Sequence, residues 1–257
     1  MLPDRDDEDP GLREPPGLRG PGPQGVARAV ALLEVVICSD YPTQLAIAGT
    51  LAAFGWQPTG PGGTLSVAYV VVLSLADTVL LLGLIFGFLY AHGEHPRDVF
   101  LGGRSVTTEV VVGFPLILAA LAIGVGLLAT IQYFAPALHT VAHNPLQEMI
   151  RRPRDAAVFA VVVVVAGGVR EELQRAFLLR RFERWLGGSA VGVVATSLMF
   201  GGGHLIQGVD AAITTATLGA FWAVVYLRRR SSIAPMVSHS GFNLFEIVQF
   251  LLGGVRA

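Results

Sequence analysis

Three polar constellations stand in otherwise apolar stretches of the chain. The first is Arg170-Glu171-Glu172-Leu173-Gln174-Arg175. Adjacent carboxylates lie about 100° apart on a helix, so Glu171 and Glu172 can both face one interior cavity. There, low dielectric and mutual repulsion favour proton uptake by one of them, which suits a general base or acid. Glu171 and Arg175 are four apart, and that spacing equally permits a plain ion pair. The second constellation is Phe200-Gly201-Gly202-Gly203-His204, where the glycines let a neighbouring backbone come close to the imidazole. A lone interior histidine can also be a purely structural hydrogen-bonding residue. The third is His239-Ser240-Gly241-Phe242-Asn243. His239 and Asn243 share a helix face, and two hydrogen-bond donors side by side can hold a developing oxyanion.

The elements that carry these residues are read from the distribution of charge. Of 257 residues, 53% are hydrophobic and only 14% are charged, against about 25% in a typical soluble domain. Asp, Glu, Lys and Arg are absent from 41–76, 110–147, 156–169, 185–209 and 211–227. Several of these blocks reach the roughly 20 residues that cross a bilayer core. The spans read as Val26–Trp56, Thr64–Ala91, Thr107–Phe134, Ala156–Arg181, Ser189–Gln207, Val209–Leu227 and Ile233–Leu252. The expected fold is an all-α, polytopic transmembrane helical bundle of about seven spans (roughly six to eight). Asp40-Tyr41-Pro42 interrupts the first span and predicts a kink or an interfacial piece. Residues 135–155 are expected to hold a polar loop or a surface helix. Residues 1–25, rich in Pro, Gly and acid, predict a disordered tail ahead of a membrane domain over 26–257.

All 18 basic residues are arginine, a usage that fits a GC-rich bacterial genome. Arg5, Arg13, Arg19, Arg28, Arg97, Arg104, Arg180, Arg181, Arg184 and Arg228 to Arg230 fall on one side, twelve in all. Arg151, Arg152, Arg154 and Arg256 make four on the other. The positive-inside rule then predicts a multi-pass protein of the cell membrane with a cytoplasmic N-terminus. With a net charge of −1 and no basic patch, nucleic acid is not an expected partner. Cys38 is the one cysteine, which excludes an intrachain disulfide and any multi-cysteine metal site.

Taken together and in order, a glutamate pair, Phe-x-x-x-His and His-x-x-x-Asn on separate spans form a pattern. It resembles the CPBP family of intramembrane endopeptidases, which includes type II CAAX prenyl proteases and ABI-like immunity relatives. The resemblance covers roughly 156–252. It implies that Glu171 activates water with His204, that Glu172 assists, and that His239 and Asn243 form an oxyanion hole. The family motif Glu-Glu-x-x-x-Arg would place arginine at 176, where this chain has Ala176; Arg175 stands one position earlier and is the supporting candidate.

The expected function is therefore hydrolysis of a peptide bond in a small membrane-associated protein or peptide, near the cytoplasmic face, without a cofactor. Zinc held by Glu171, Glu172, His204 and His239 is the alternative chemistry, although the chain lacks His-Glu-x-x-His. A non-catalytic scaffold or immunity-type binding protein is one alternative function. A transporter using Glu171, Glu172 and Asp77 as a proton path is another. His139 and His143, at i, i+4 spacing without an adjacent Glu, read as interfacial polar surface.

Overall fold

A computed structural model describes residues 23–60 and 63–252. The disordered-tail expectation falls almost wholly outside them. The fold is all-α, and among the described residues there is no strand beyond an isolated bridge between Thr59 and Leu65. The helices run α1 (Pro23–Ile37), α2 (Tyr41–Ala53), α3 (Val67–Ala91), short α4 (Pro96–Phe100) and α5 (Val106–Phe134). They continue with short α6 (Pro145–Glu148), α7 (Pro153–Val162), a π-helical stretch (Val163–Arg170), α8 (Glu171–Trp185), α9 (Ser189–Gly203), α10 (Val209–Arg229) and α11 (Ile233–Leu252).

The seven apolar stretches of the sequence correspond to these helices, two of them with internal irregularities. The first breaks at Asp40, whose φ of 82° is left-handed, and its halves meet at 45°. The fourth runs from 153 to 185 through the π turns without a loop. By length and apolarity alone, α3, α5 and α10 can cross a membrane, and the bent α1–α2 pair makes a fourth. α8 is only 15 residues long, and α11 falls short through polar side chains such as His239 and Asn243. These lower the mean hydropathy but turn inward.

Burial is inverted relative to a soluble protein. Val79, Leu118, Val194 and Leu198 are 60–75% exposed, whereas Asp77, Glu109, Arg170, Glu172, Arg175 and Arg181 are buried. Continuous apolar exteriors around a charged interior are stable in lipid, where polar groups must be satisfied within the protein. This is a membrane-type bundle.

Its core is divided. One cluster joins Leu81, Ile85 and Leu89 of α3 to Phe177, Leu179 and Phe182 of α8, with Val99 and Phe100 of α4 folded beneath them. A second, towards the other end, joins Met149, Ile150, Phe159, Val162 and Ile247. A third holds Ala120, Leu218 and Trp222 together.

Candidate active site

Between these clusters lies a cavity of about 760 Å³. Its walls include Glu171 and Arg175 from α8, His204 from the end of α9, Trp222 from α10, and His239 and Asn243 from α11. Of the six candidate site residues, all but Glu172 line this one space.

The two adjacent glutamates do different things. Glu172 lies behind the cavity wall, its side chain 1% exposed. Its Oε1 accepts from Arg175 and, at 2.9 Å, from His239 Nδ1. Glu171 is 16% exposed and faces the cavity. Its Oε1 accepts from Arg170 at 3.1 Å, and its Oε2 lies 3.8 Å from His239 Nε2. The expectation that both carboxylates face one cavity is thus corrected. The angle between neighbouring residues carries Glu172 round the helix towards α11, where a histidine and an arginine satisfy it.

Hydrogen bonding selects the histidine tautomers. His204 Nδ1 is 2.9 Å from the Phe200 carbonyl, which can only accept, so the neutral ring keeps its lone pair on Nε2. His239 Nδ1 donates to Glu172, so its Nε2 becomes a donor only as imidazolium. The ring stacks on Trp222 at 3.8 Å and 17°, and Trp222 Nε1 donates to Ser238 Oγ. Phe200 stands between the two histidines, its centroid 4.9 Å from His204 and 5.8 Å from His239. Arg175 lies over Phe200 at 4.8 Å. It pairs with Glu172 and not, as the four-residue spacing allowed, with Glu171.

Asn243 reaches the site because two glycines let α11 lie against the π turns. A Cβ on Gly168 would stand 1.9 Å from Ser240 Oγ, and one on Gly167 would stand 2.6 Å from Asn243 Nδ2. The Asn243 amide donates to the Val163 carbonyl at 3.4 Å, a long bond. π turns are rare and concentrate at functional sites. The glycines before His204 act similarly. A Cβ on Gly201 would be 2.6 Å from the Ala212 carbonyl, and one on Gly202 would be 2.9 Å from Tyr41 Oη.

Sequence reasoning gave no place to Trp222, because a single aromatic in an apolar span carries no distinguishing pattern. It also left Arg170 without partners. The structure joins Arg170 to Asp40 at the helix break, to Asp77 on α3 and to Glu171. The signal was present, since ionisable groups in apolar spans seek one another. His139, read as surface, sits at the cavity rim with Nδ1 2.8 Å from Asp210. Among the described residues, no three His, Cys, Asp or Glu side chains gather as a metal site.

Residues 153–245 match the family model described as type II CAAX prenyl endopeptidase Rce1-like. This match, over about a third of the chain, supports membership of the CPBP family. All the family motif residues discussed above fall inside the matched segment, as does Ala176 in place of the motif arginine. Neither the curated proteins nor the solved structures yielded a match. The similarity, together with the apolar helices, fits a membrane protease acting on a membrane-embedded peptide.

One expectation about access conflicts with another. Loop residues 139–150 and Ile206–Gln207 line the cavity, whereas among the described residues none from 75–123, 179–195 or 223–238 does. The cavity thus lies away from the arginine-bearing stretches 92–106, 180–188 and 228–232. Cytoplasmic placement of those stretches and cleavage near the cytoplasmic face do not fit one arrangement, because α4 and the first core cluster fill the arginine-bearing end.

Proposed function

We propose that the protein is a glutamate-type intramembrane endopeptidase, and that Glu171 is its general base. One observation carries the reading: Glu171, His204 and Asn243 border the same cavity, with Glu172 held behind them. A water between Glu171 Oε2 and His204 Nε2 would donate one proton to each acceptor and turn a lone pair towards a substrate carbonyl. As Glu171 takes the first proton, the water oxygen bonds to the carbonyl carbon and the carbonyl oxygen gains the charge. Asn243 Nδ2–H and the Nε2–H of a His239 imidazolium would hold that oxyanion. Collapse re-forms the carbonyl, breaks the C–N bond and passes the proton from Glu171 to the departing amine.

Glu172 and Arg175 are positioning residues in this scheme, orienting His239 and supporting Phe200. The pairing of Asp77 with Arg170 supports a structural place for Asp77 over a proton path. A metal-free reaction is part of the reading, supported by the engagement of all four histidine and glutamate candidates with partners inside the protein. Arginine asymmetry supports a multi-pass arrangement with a cytoplasmic N-terminus and cytoplasmic loops at 92–106 and 182–188. Residues 156–252 form the catalytic core within the membrane domain.

The test is hydrolysis of quenched fluorescent membrane peptides, lipidated and unlipidated, by the purified full-length protein in lipid. Glu171→Gln should lower turnover at least about a hundredfold, the scale of general-base loss, and His204→Ala comparably. Wild-type activity should persist through chelation. Full turnover by Glu171→Gln, or loss on chelation with recovery on adding zinc, defeats the mechanism.

A further inference from the structure

Helix α11 runs the length of the cavity wall, from its closed end to its rim. At the closed end, α4 forms a seal, with Val99 and Phe100 buried among Leu89, Phe177, Phe182 and Tyr226. The Ser232 amide, just ahead of α11, donates to the Phe100 carbonyl at 2.8 Å, and Arg180, Arg181 and Arg184 gather on Glu94 at this end. From there His239, Asn243, Glu246, Ile247 and Phe250 line the cavity in turn. Their spacing of i, i+4, i+7, i+8 and i+11 is one helix face. Ile247 packs in the cluster that holds Met149 and Ile150, so the later turns of this face lie beside the rim segment 139–150.

Four carboxylates line the cavity: Asp40, Glu171, Asp210 and Glu246. Asp40 and Glu171 both accept from Arg170, and Asp210 meets His139 and accepts from Gln132. Among the described residues Glu246 has no hydrogen bond and no ion pair, although its residue is not exposed. The cations of the wall are committed elsewhere, Arg170 as above and Arg175 to Glu172. Arg151, on the neighbouring loop, donates to Thr64 Oγ1. An ionised carboxylate in a water-poor, apolar setting is costly until a positive charge joins it. Among the described residues no cluster of three metal-ligating side chains includes Glu246, which favours an organic cation over a metal ion.

The position along α11 says where in a substrate that cation belongs. Three residues of helix advance about 4.5 Å, and an extended peptide advances about 3.3 Å per residue. A carbonyl held at Asn243 therefore puts Glu246 within two residues of the cleaved bond. We infer that Glu246 is a specificity-determining residue, which selects peptides carrying lysine or arginine at that place. The identification of the occupant as a peptide rests on the proteolytic reading above. Glu246 lies one residue beyond the segment that matches the family model, so the match does not supply this preference.

The purified full-length protein in zwitterionic nanodiscs provides the test, since a bilayer without net charge does not itself gather cationic peptides. Quenched peptides are compared that differ only in lysine, norleucine or glutamate at one of the four positions around the cleaved bond. At one position, lysine should give a kcat/KM at least about tenfold above norleucine, with glutamate lowest. The gain should lie in KM, because an ion pair remote from the reacting carbonyl serves ground state and transition state alike. Glu246→Gln should bring the ratio of lysine to norleucine close to one. A lysine preference that survives Glu246→Gln overturns the inference, and so does the lack of a preference at every position. Kd values for the same peptides, read by fluorescence anisotropy on Glu171→Gln with and without Glu246→Gln, keep the two claims apart. If nothing is cleaved but the lysine peptide binds more tightly through Glu246, the proteolytic reading fails and the inference stands. Equal Kd values for the lysine and norleucine peptides overturn it, whatever is cleaved.

Discussion

Asn243 and Arg175 show how far residue type alone can assign a role. The Asn243 amide makes only a 3.4 Å bond to the Val163 carbonyl, so little is lost when it turns to a substrate oxygen. Removing one oxyanion donor typically costs ~2.7–4 kcal/mol of transition-state stabilisation. Asn243→Ala is expected to lower kcat by that measure with KM nearly unchanged, because the donor acts on the transition state. A change confined to KM would instead make it a ground-state contact. Arg175 is buried on Glu172 and against the face of Phe200, so its loss strands a buried carboxylate, a change that costs ~3–5 kcal/mol. Arg175→Ala should lower the Tm in detergent sharply, yet per folded molecule reduce turnover less than Glu171→Gln. Adding Glu172→Gln should recover part of the Tm. The glutamates and histidines were legible in the sequence because ionisable groups in apolar spans are few. The division between Glu171 and Glu172 was not, since it depends on which neighbour each meets across a helix interface.

At the scale of elements, the contact between the π turns and α11 positions His239 and Asn243. Gly168 has no room for a methyl group beside Ser240. Gly168→Ala must push α11 outward and carry His239 and Asn243 with it. Such overpacking costs ~1–3 kcal/mol, and turnover should fall with stability. Ser240→Gly removes the nearest atom but leaves the α11 backbone 3.1 Å away, so the double variant should regain part of both. Failure of Ser240→Gly to restore anything would place the strain elsewhere. The seven apolar stretches and the Asp40 break were readable from charge-free blocks and a proline. The π turns were not: an i→i+5 pattern leaves no periodicity in a run of valines, alanine and glycines, and becomes evident only where Asn243 and Arg170 take up the Val163 and Ala166 carbonyls.

For the whole molecule, the two ends differ in what holds them together. The closed end depends on charge. Burial pushes the Glu94 carboxyl upward, but Arg180, Arg181 and Arg184 outweigh it and hold the group below the ordinary glutamate value of 4.5. A carboxylate depressed in the folded state contributes stability above its unfolded value, and loses it as pH falls through the folded one. The Tm of the purified protein should therefore drop as pH is taken below about 4.5, and Glu94→Gln should lower the Tm at neutral pH while flattening that drop. An unchanged pH profile in the variant would remove Glu94 from the account. Arginine counting located this end but not its seal, because nothing in Pro96–Phe100 marks it as folding beneath the bundle.

That seal also bears on turnover. A chamber with one blind end returns its contents by the route they came. Each fragment has to back out past the rim before another chain can thread in, and the fragment that keeps its bilayer anchor stays concentrated at the doorway. Departure, more than bond breaking, would then govern the pace of successive cycles. The anchored half of a cut chain should act as a competitive inhibitor of the next one.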